Sequence, residues 1–251
     1  MSLIIPNELK GFHKTFEKLS YMHDTMDVFD TFLEWVMWNF CADGSLNWDS
    51  GKKFPKKERP LFETLFREWV MAMSEKVCAD GQWYDLFGTY YEAYAASKSR
   101  RDCKGQFFTP PNVCDFMAKI VGQNEYGIFN DPCCGSGRFP LAYHAHNLGN
   151  FLFVSDLDRT CCMMTVCNFI IHGVVGEVVW QDSLDPESWY GGWRVNANLN
   201  NPFHQHFGCP HVETLLQENS RIWKVNHACK QMSETVTILS STRTEGQLTL
   251  F

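Results

Sequence analysis

Apolar residues recur at helical spacing through roughly the first hundred positions, and then the rhythm changes. Phe12, Phe16 and Leu19 keep that spacing, as do Phe29, Phe32, Leu33, Val36 and Met37, so residues from about Glu8 to Phe40 are expected to be helical. Ala42-Asp43-Gly44-Ser45 breaks the pattern. Leu61, Leu65, Trp69 and Met73 stand four apart with Phe62 and Phe66 beside them, which predicts a second helix over Leu61–Val77, closed by Asp80-Gly81. A third helix is expected over Asp85–Ala96. Aromatic stripes at this spacing read as core, not as a surface for stacking bases.

Past residue 125 the apolar residues come in short runs. Tyr126-Gly127-Ile128-Phe129, Phe151-Leu152-Phe153-Val154 and Glu177-Val178-Val179-Trp180 each read as a buried strand. Helical stretches fall between them: Leu141–His146 after the first, and Thr160–His172 after the second, with Gly173 as its stop. Strand, helix, strand, helix, strand is the pattern of an α/β fold with a parallel sheet. Three segments are therefore expected: a helical domain over residues 1–98, an α/β domain over 99–223 and a tail over 224–251.

The first strand leads into Asn130-Asp131-Pro132-Cys133-Cys134-Gly135-Ser136-Gly137-Arg138-Phe139-Pro140-Leu141. Gly135 and Gly137 allow a sharp turn and keep side chains from between the loop and a ligand. Each of the three strands finishes near an acid: Asp131, Asp156 and Asp182. In a parallel sheet these acids share one edge, where open α/β sheets bind ligands. Carboxylates in a row accept hydrogen bonds from an ammonium, a ribose diol and a base amine.

Composition narrows the classes. Among 251 residues no apolar run is long enough to span a bilayer, and Met1-Ser2-Leu3-Ile4-Ile5-Pro6 lacks the charged region and long apolar core of a secretory signal. Eleven cysteines, an odd number without a Cys-x-x-Cys pair, read as buried free thiols in a reducing cytoplasm. His204, His206, Cys209 and His211 match no common zinc spacing and read as a solvent-facing loop, so no metal is expected. The net charge of −7 implies that the chain alone grips a polyanion weakly. Lys52-Lys53-Phe54-Pro55-Lys56-Lys57-Glu58-Arg59 is either a solvated loop or a phosphate contact. Lys98–Lys104 reads as a basic linker.

Asp131-Pro132-Cys133-Cys134-Gly135-Ser136-Gly137 resembles the cofactor loop of the amino DNA methyltransferases. Gly105-Gln106-Phe107-Phe108-Thr109-Pro110 is similar to that family's motif before the loop, and Asp85–Glu92 to the run that precedes it in type I restriction modification subunits, which are adenine-N6 methylases. The resemblance covers roughly Trp83 to Leu184. It implies a Rossmann-like sheet that binds S-adenosyl-L-methionine, and an N-terminal helical domain that helps to embrace DNA. Few clear strands follow to complete a seven-stranded sheet at the C-terminal end.

By the same resemblance, Phe108, Thr109 and Pro110 run beside the cofactor's methionine part, and Thr109 is expected to cap the helix that follows. Asp131 lies near the ammonium, with Pro132, Gly135, Ser136 and Gly137 beneath the ligand. Asp156, followed by Leu157, holds the ribose hydroxyls, with Asp158 as the competing candidate. Asp182 accepts from the cofactor's adenine amine, with Ser183 next to it and Leu184 against the ring. The family's catalytic tetrapeptide, Asn (or Asp)-Pro-Pro-aromatic, orients the amine of an adenine flipped out of the duplex. Here Asn200-Asn201-Pro202-Phe203 takes that place with one proline replaced. It is either a degenerate motif, in which Asn200 or Asn201 orients the amine and Phe203 stacks, or a polar loop.

The expected function is adenine-N6 methylation of DNA in a restriction-modification or mobile-element system. A catalytically impaired cofactor- and DNA-binding scaffold is the alternative, and methylation of RNA or protein a third reading. No target-recognition domain is visible, so a separate specificity subunit is the expected partner. Gln247-Leu248-Thr249-Leu250-Phe251 resembles the short peptide that docks on the replication sliding clamp, the other reading being a plain tail.

Overall fold

The computed structural model describes residues 5–41, 43–46, 56–80, 83–95, 108–122, 128–185, 187–203, 208–221 and 223–225. Helices α1 (Lys10–Ser20), α2 (Thr25–Asn39), α3 (Arg59–Asp80) and α4 (Leu86–Ala95) form the first part. The break between α1 and α2 comes at Asp24, whose carboxylate caps α2 by accepting from the amides of Met26 and Asp27. The apolar stripes face inward as expected. Phe12, Phe16, Phe32, Phe62, Trp69, Phe87 and Tyr90 are all fully buried, and many of their rings meet edge to face.

Helix α5 (Pro111–Val121) precedes β1 (Ile128–Asp131), and α6 (Arg138–His146), β2 (Phe151–Asp156), α7 (Arg159–His172) and β3 (Gly176–Trp180) follow. The α5 start corrects one expectation. Pro110 is the N-cap, and no side chain caps the helix, because two successive prolines carry the chain in and Thr109 stands one residue too early. Gly173 does stop α7, in the left-handed region at φ 68°. Asp158 caps the start of α7 by accepting from the Thr160 amide at 2.8 Å.

β1, β2 and β3 pair in parallel. β4 (Gly191–Val195) then pairs antiparallel with β3, and β5 (Val212–Thr214) antiparallel with β4, giving a mixed sheet in the order β1-β2-β3-β4-β5. Only residues 181–190 join β3 to β4. That is too short for a helical crossover, so the fourth strand folds back instead of entering in parallel. Among the described residues β1 is therefore an edge strand, and the strand order never reverses.

Helices α6 and α7 follow successive strands in one direction across the sheet, so right-handed crossovers put them on the same face. One hydrophobic core joins that face to the N-terminal helices through Leu152, Val154, Val178, Phe169 and Leu33. Polar ties reinforce the contact: Arg159 meets Glu34 at 2.8 Å, and the Thr160 hydroxyl donates to Asp30 at 2.7 Å. The other face carries a small cluster around Phe153, Val179 and Leu215. Every cysteine whose side chain is described is a free thiol. Among the described residues no helix is long and apolar enough to cross a membrane.

Candidate functional site

The turn between β1 and α6 is held from three sides. The Cys134 amide donates to the Ser155 carbonyl at 2.9 Å, the Gly135 amide to Asp156 Oδ2 at 2.8 Å, and the Thr165 hydroxyl to the Gly135 carbonyl at 2.9 Å. Gly135 lies at φ 55° and Gly137 at φ 88°, both left-handed. A methyl group on Gly135 would stand 2.9 Å from the Phe108 ring. The aromatic of the upstream motif therefore closes directly on the loop.

The three acids end on one edge of the sheet. Asp131 and Asp156 close β1 and β2, Asp156 is level with Trp180 in the ladder, and Asp182 follows two residues later. Their fields converge on Cys133, whose thiol pKa is raised by burial and then by Asp156, Asp131 and Asp182. Asp131 itself is pushed above the ordinary carboxylate range. Burial is the main cause, the Cys133 amide at 3.1 Å pulls it back, and Asp156 pushes it up again. Asp156 also receives the Asp158 amide at 2.8 Å, so the backbone already engages both its oxygens; each keeps a lone pair for a further donor. The Asp182 carboxylate accepts from the Leu184 amide at 3.0 Å, and the Ser183 hydroxyl donates to the Pro132 carbonyl. The side chains of Leu157 and Leu184 are exposed, Leu184 to 95%.

A cleft of about 240 Å³ opens here, and Phe108, Thr109, Asp131, Cys133, Gly135 and Ser136 are in its walls. This is smaller than typical ligand pockets, which run roughly 300–1,000 Å³. It brings together the two motifs that flank α5. Pro110, Pro132, Gly137, Asp156, Leu157, Asp182, Ser183 and Leu184 are not among its walls; Asp156 is tied to the loop through the Gly135 amide, and Ser183 through the Pro132 carbonyl.

Behind the cleft lies a buried polar network that residue-by-residue reading missed. Asp85 accepts four hydrogen bonds: from the Gly88 amide at 2.8 Å, Asn168 Nδ2 at 2.9 Å, the Ser136 hydroxyl at 2.6 Å and Arg138 Nε at 2.8 Å. Arg138 reaches on to Glu92 at 2.8 Å, and the other Glu92 oxygen accepts the Phe108 amide at 2.8 Å. Burial lowers the Arg138 pKa, but the carboxylates of Asp85 and Glu92 outweigh it and the net shift is upward. The Arg138 guanidinium also lies 5.4 Å from the centre of the Phe108 ring. Asp85, Glu92, Ser136 and Arg138 all stand in motif segments. The missing information was that a helix end fifty residues upstream packs under the loop.

The tetrapeptide is not brought to this site. β4 runs antiparallel, so Val195 pairs with Gly176 at the start of β3. Asn200, Asn201, Pro202 and Phe203 therefore follow from the edge opposite the acids. Four strand steps, from Gly176 to Trp180, separate that edge from the level of Asp156, roughly 13 Å. Asn201 Oδ1 accepts the Phe203 amide at 3.0 Å in a local turn, and the Phe203 ring is 97% exposed. The same run holds a structural residue, Asn196, at φ 54°. Its amide donates to the Phe169 and Val174 carbonyls at 3.0 Å each, and its oxygen accepts the His211 amide at 3.0 Å.

No group of metal-ligating side chains is present among the described residues. Cys209 is exposed and His211 is buried, while His204 and His206 lie outside the described residues. So do Gly105–Phe107, Lys52–Pro55, Lys98–Lys104 and Gln247–Phe251.

The model of one family, N-6 DNA Methylase, matches residues 82–250. The methylase subunit of the type I restriction enzyme EcoEI from Escherichia coli is 23% identical over 124 residues, which is 44% of this chain and 25% of that protein. The methylase subunit of the type I restriction enzyme MjaVIII from Methanocaldococcus jannaschii is 28% identical over 98 residues, 36% of this chain and 16% of that protein. The chain thus spans a quarter or less of the length of these curated relatives.

Proposed function

This chain belongs to the N-6 DNA methylase family, and on that premise we propose that its carboxylate-lined edge binds S-adenosyl-L-methionine for methylation of adenine N6 in DNA. The observation that carries the reading is the placement of Asp131, Asp156 and Asp182 at one end of parallel strands, beside the left-handed Gly135 turn. We read the five strands as part of a Rossmann-like cofactor sheet, with residues 1–98 as a helical cap, 99–223 as the methyltransferase domain and 224–251 as a tail.

The residues present fit that cofactor. The left-handed Gly135 leaves a cradle that a side chain would fill, and the acids supply acceptors for three donor groups at successive positions along one edge. Asp131, beside Phe108, Thr109 and Ser136, would take the ammonium end, and its ionised form would be favoured by that charge. Asp156 would take the ribose hydroxyls. Asp182 would take the adenine amine, with Leu157 and Leu184 shielding the ring from water. When bound, the cofactor supplies an electrophilic methyl group on a sulfonium. The chain's contribution is to hold and orient it.

A second reading has its own observation. Asn200–Phe203 lies across the sheet from the acids, so this arrangement presents no tetrapeptide acceptor to a flipped adenine. The chain on its own would then be a cofactor-binding scaffold, with turnover requiring another polypeptide. A specificity subunit of the type I kind and, through Gln247–Phe251, the sliding clamp are the partners this reading allows.

Calorimetric titration with S-adenosyl-L-methionine tests the binding, and transfer of labelled methyl to mixed-sequence DNA, with and without a specificity subunit, tests the reaction. Binding with transfer supports the enzyme. Binding without transfer under any pairing supports the scaffold. Absence of binding overturns both.

A further inference from the structure

A second cavity, of about 360 Å³, opens at the far edge of the sheet, where β2 begins and β4 ends; Phe151, Arg194, Asn198, Glu213, Arg221 and Lys224 are among its walls. Behind these walls lies Glu177, whose side chain is wholly buried and which holds two of the lining residues, Arg194 and Arg221. Glu177 accepts from Arg194 at 3.1 Å, the Ser220 hydroxyl at 3.1 Å and the Arg221 amide at 2.9 Å. Arg194 also donates to the Asn219 carbonyl at 3.0 Å and pairs with Glu213 at 3.5 Å. Its charge is thereby answered within the protein. Arg221 and Lys224 are different. Among the described residues no carboxylate pairs with either. The Arg221 guanidinium instead lies over the Phe151 ring, 4.5 Å from its centre.

We propose that this cavity is an anion site for a phosphate group, carried either by a free nucleotide or by a nucleic-acid backbone. A guanidinium held on an aromatic face keeps its planar N–H edge available, and that edge matches two phosphate oxygens at once. The Lys224 ammonium adds a point charge and the Asn198 amide a neutral donor. Two unanswered cations on a chain of net charge −7 form a local exception, and local charge is what an anion reads. The volume exceeds that of the cleft at the acid edge and accommodates more than a bare phosphate. The site lies across the sheet from Asp131, Asp156 and Asp182 and does not depend on the cofactor reading.

The test uses the full chain and three probes: pyrophosphate, a 5′-mononucleotide and a short DNA duplex. Each is titrated into the wild type and into the double variant Arg221→Gln, Lys224→Gln. Both side chains are exposed, so the variant should melt with the wild type. The expected result is binding of at least one probe by the wild type, weakened tenfold or more in the variant, with affinity for S-adenosyl-L-methionine unchanged. Binding of pyrophosphate or mononucleotide identifies a free nucleotide as the source. Binding of duplex alone identifies the backbone, and the slope of log affinity against log salt should then fall by about one per lost phosphate contact. If no probe binds, or if the variant binds every probe as well as the wild type, the assignment is wrong. Restoration by Arg221→Lys, with Lys224 intact, to a value between the two separates lost charge from lost bidentate geometry.

Discussion

Arg138 Nε donates to Asp85 Oδ2 at 2.8 Å with both side chains almost wholly buried, and this pair fastens the turn between β1 and α6 to the helical part of the chain. Removing one member leaves the other charge unanswered, which typically costs about 3–5 kcal/mol. Asp85→Asn should therefore lower stability by an amount toward the low end of that range, since Glu92 still holds Arg138. Urea denaturation measures it. The variant combining Asp85→Asn with Arg138→Met should lose clearly less than the sum of the single losses. Additive losses would mean that the pair is not coupled.

Gly135 is constrained twice, by its left-handed backbone and by the Phe108 ring. Gly135→Ala should cost about 1–2 kcal/mol from the backbone alone. It should also weaken S-adenosyl-L-methionine binding tenfold or more, because the ring must move into the cleft. Gly149 is a control: it has φ 87° but open space around it. Gly149→Ala should show the stability loss without the binding loss, and equal binding losses in the two variants would count against the cradle.

The raised Asp131 pKa has a definite sign. An acid whose folded pKa exceeds its unfolded value holds its proton more tightly in the folded state. Its contribution to stability is present at low pH and is lost as pH rises through the folded value. Asp131→Asn removes the ionised group, so at neutral pH the variant should melt higher than the wild type. The difference should close as pH falls toward the ordinary carboxylate value of about 3.9. The same variant should lose S-adenosyl-L-methionine affinity by at least tenfold at neutral pH. A lower melting point at neutral pH would show that Asp131 is a structural group, not one kept for a cation.

Asn200→Ala and Phe203→Ala act at the opposite edge from the acids. Titration should give S-adenosyl-L-methionine affinities within about twofold of the wild type, as for surface changes far from a site. A tenfold loss in either would mean that the tetrapeptide reaches the cleft, and that the chain adopts another strand order when it binds.

Much of this was legible along the chain because the signals are local. Helical spacing placed Phe12, Phe32 and Trp69 in the core, the strand-turn-helix around Gly135 placed the loop, and the parallel run of three strands placed Asp131, Asp156 and Asp182 on one edge. Each of these depends on residues a few positions apart, or on a period that side-chain geometry imposes. Two features were settled only by packing. Asp85 becomes the hub of a network because α4 lies under a loop fifty residues downstream, and no spacing encodes that contact. The direction of β4 was decided by the ten residues that precede it. They are too few for a crossover helix, so the strand turns back, and Asn200–Phe203 ends on the far side of the sheet from the acids it was expected to join.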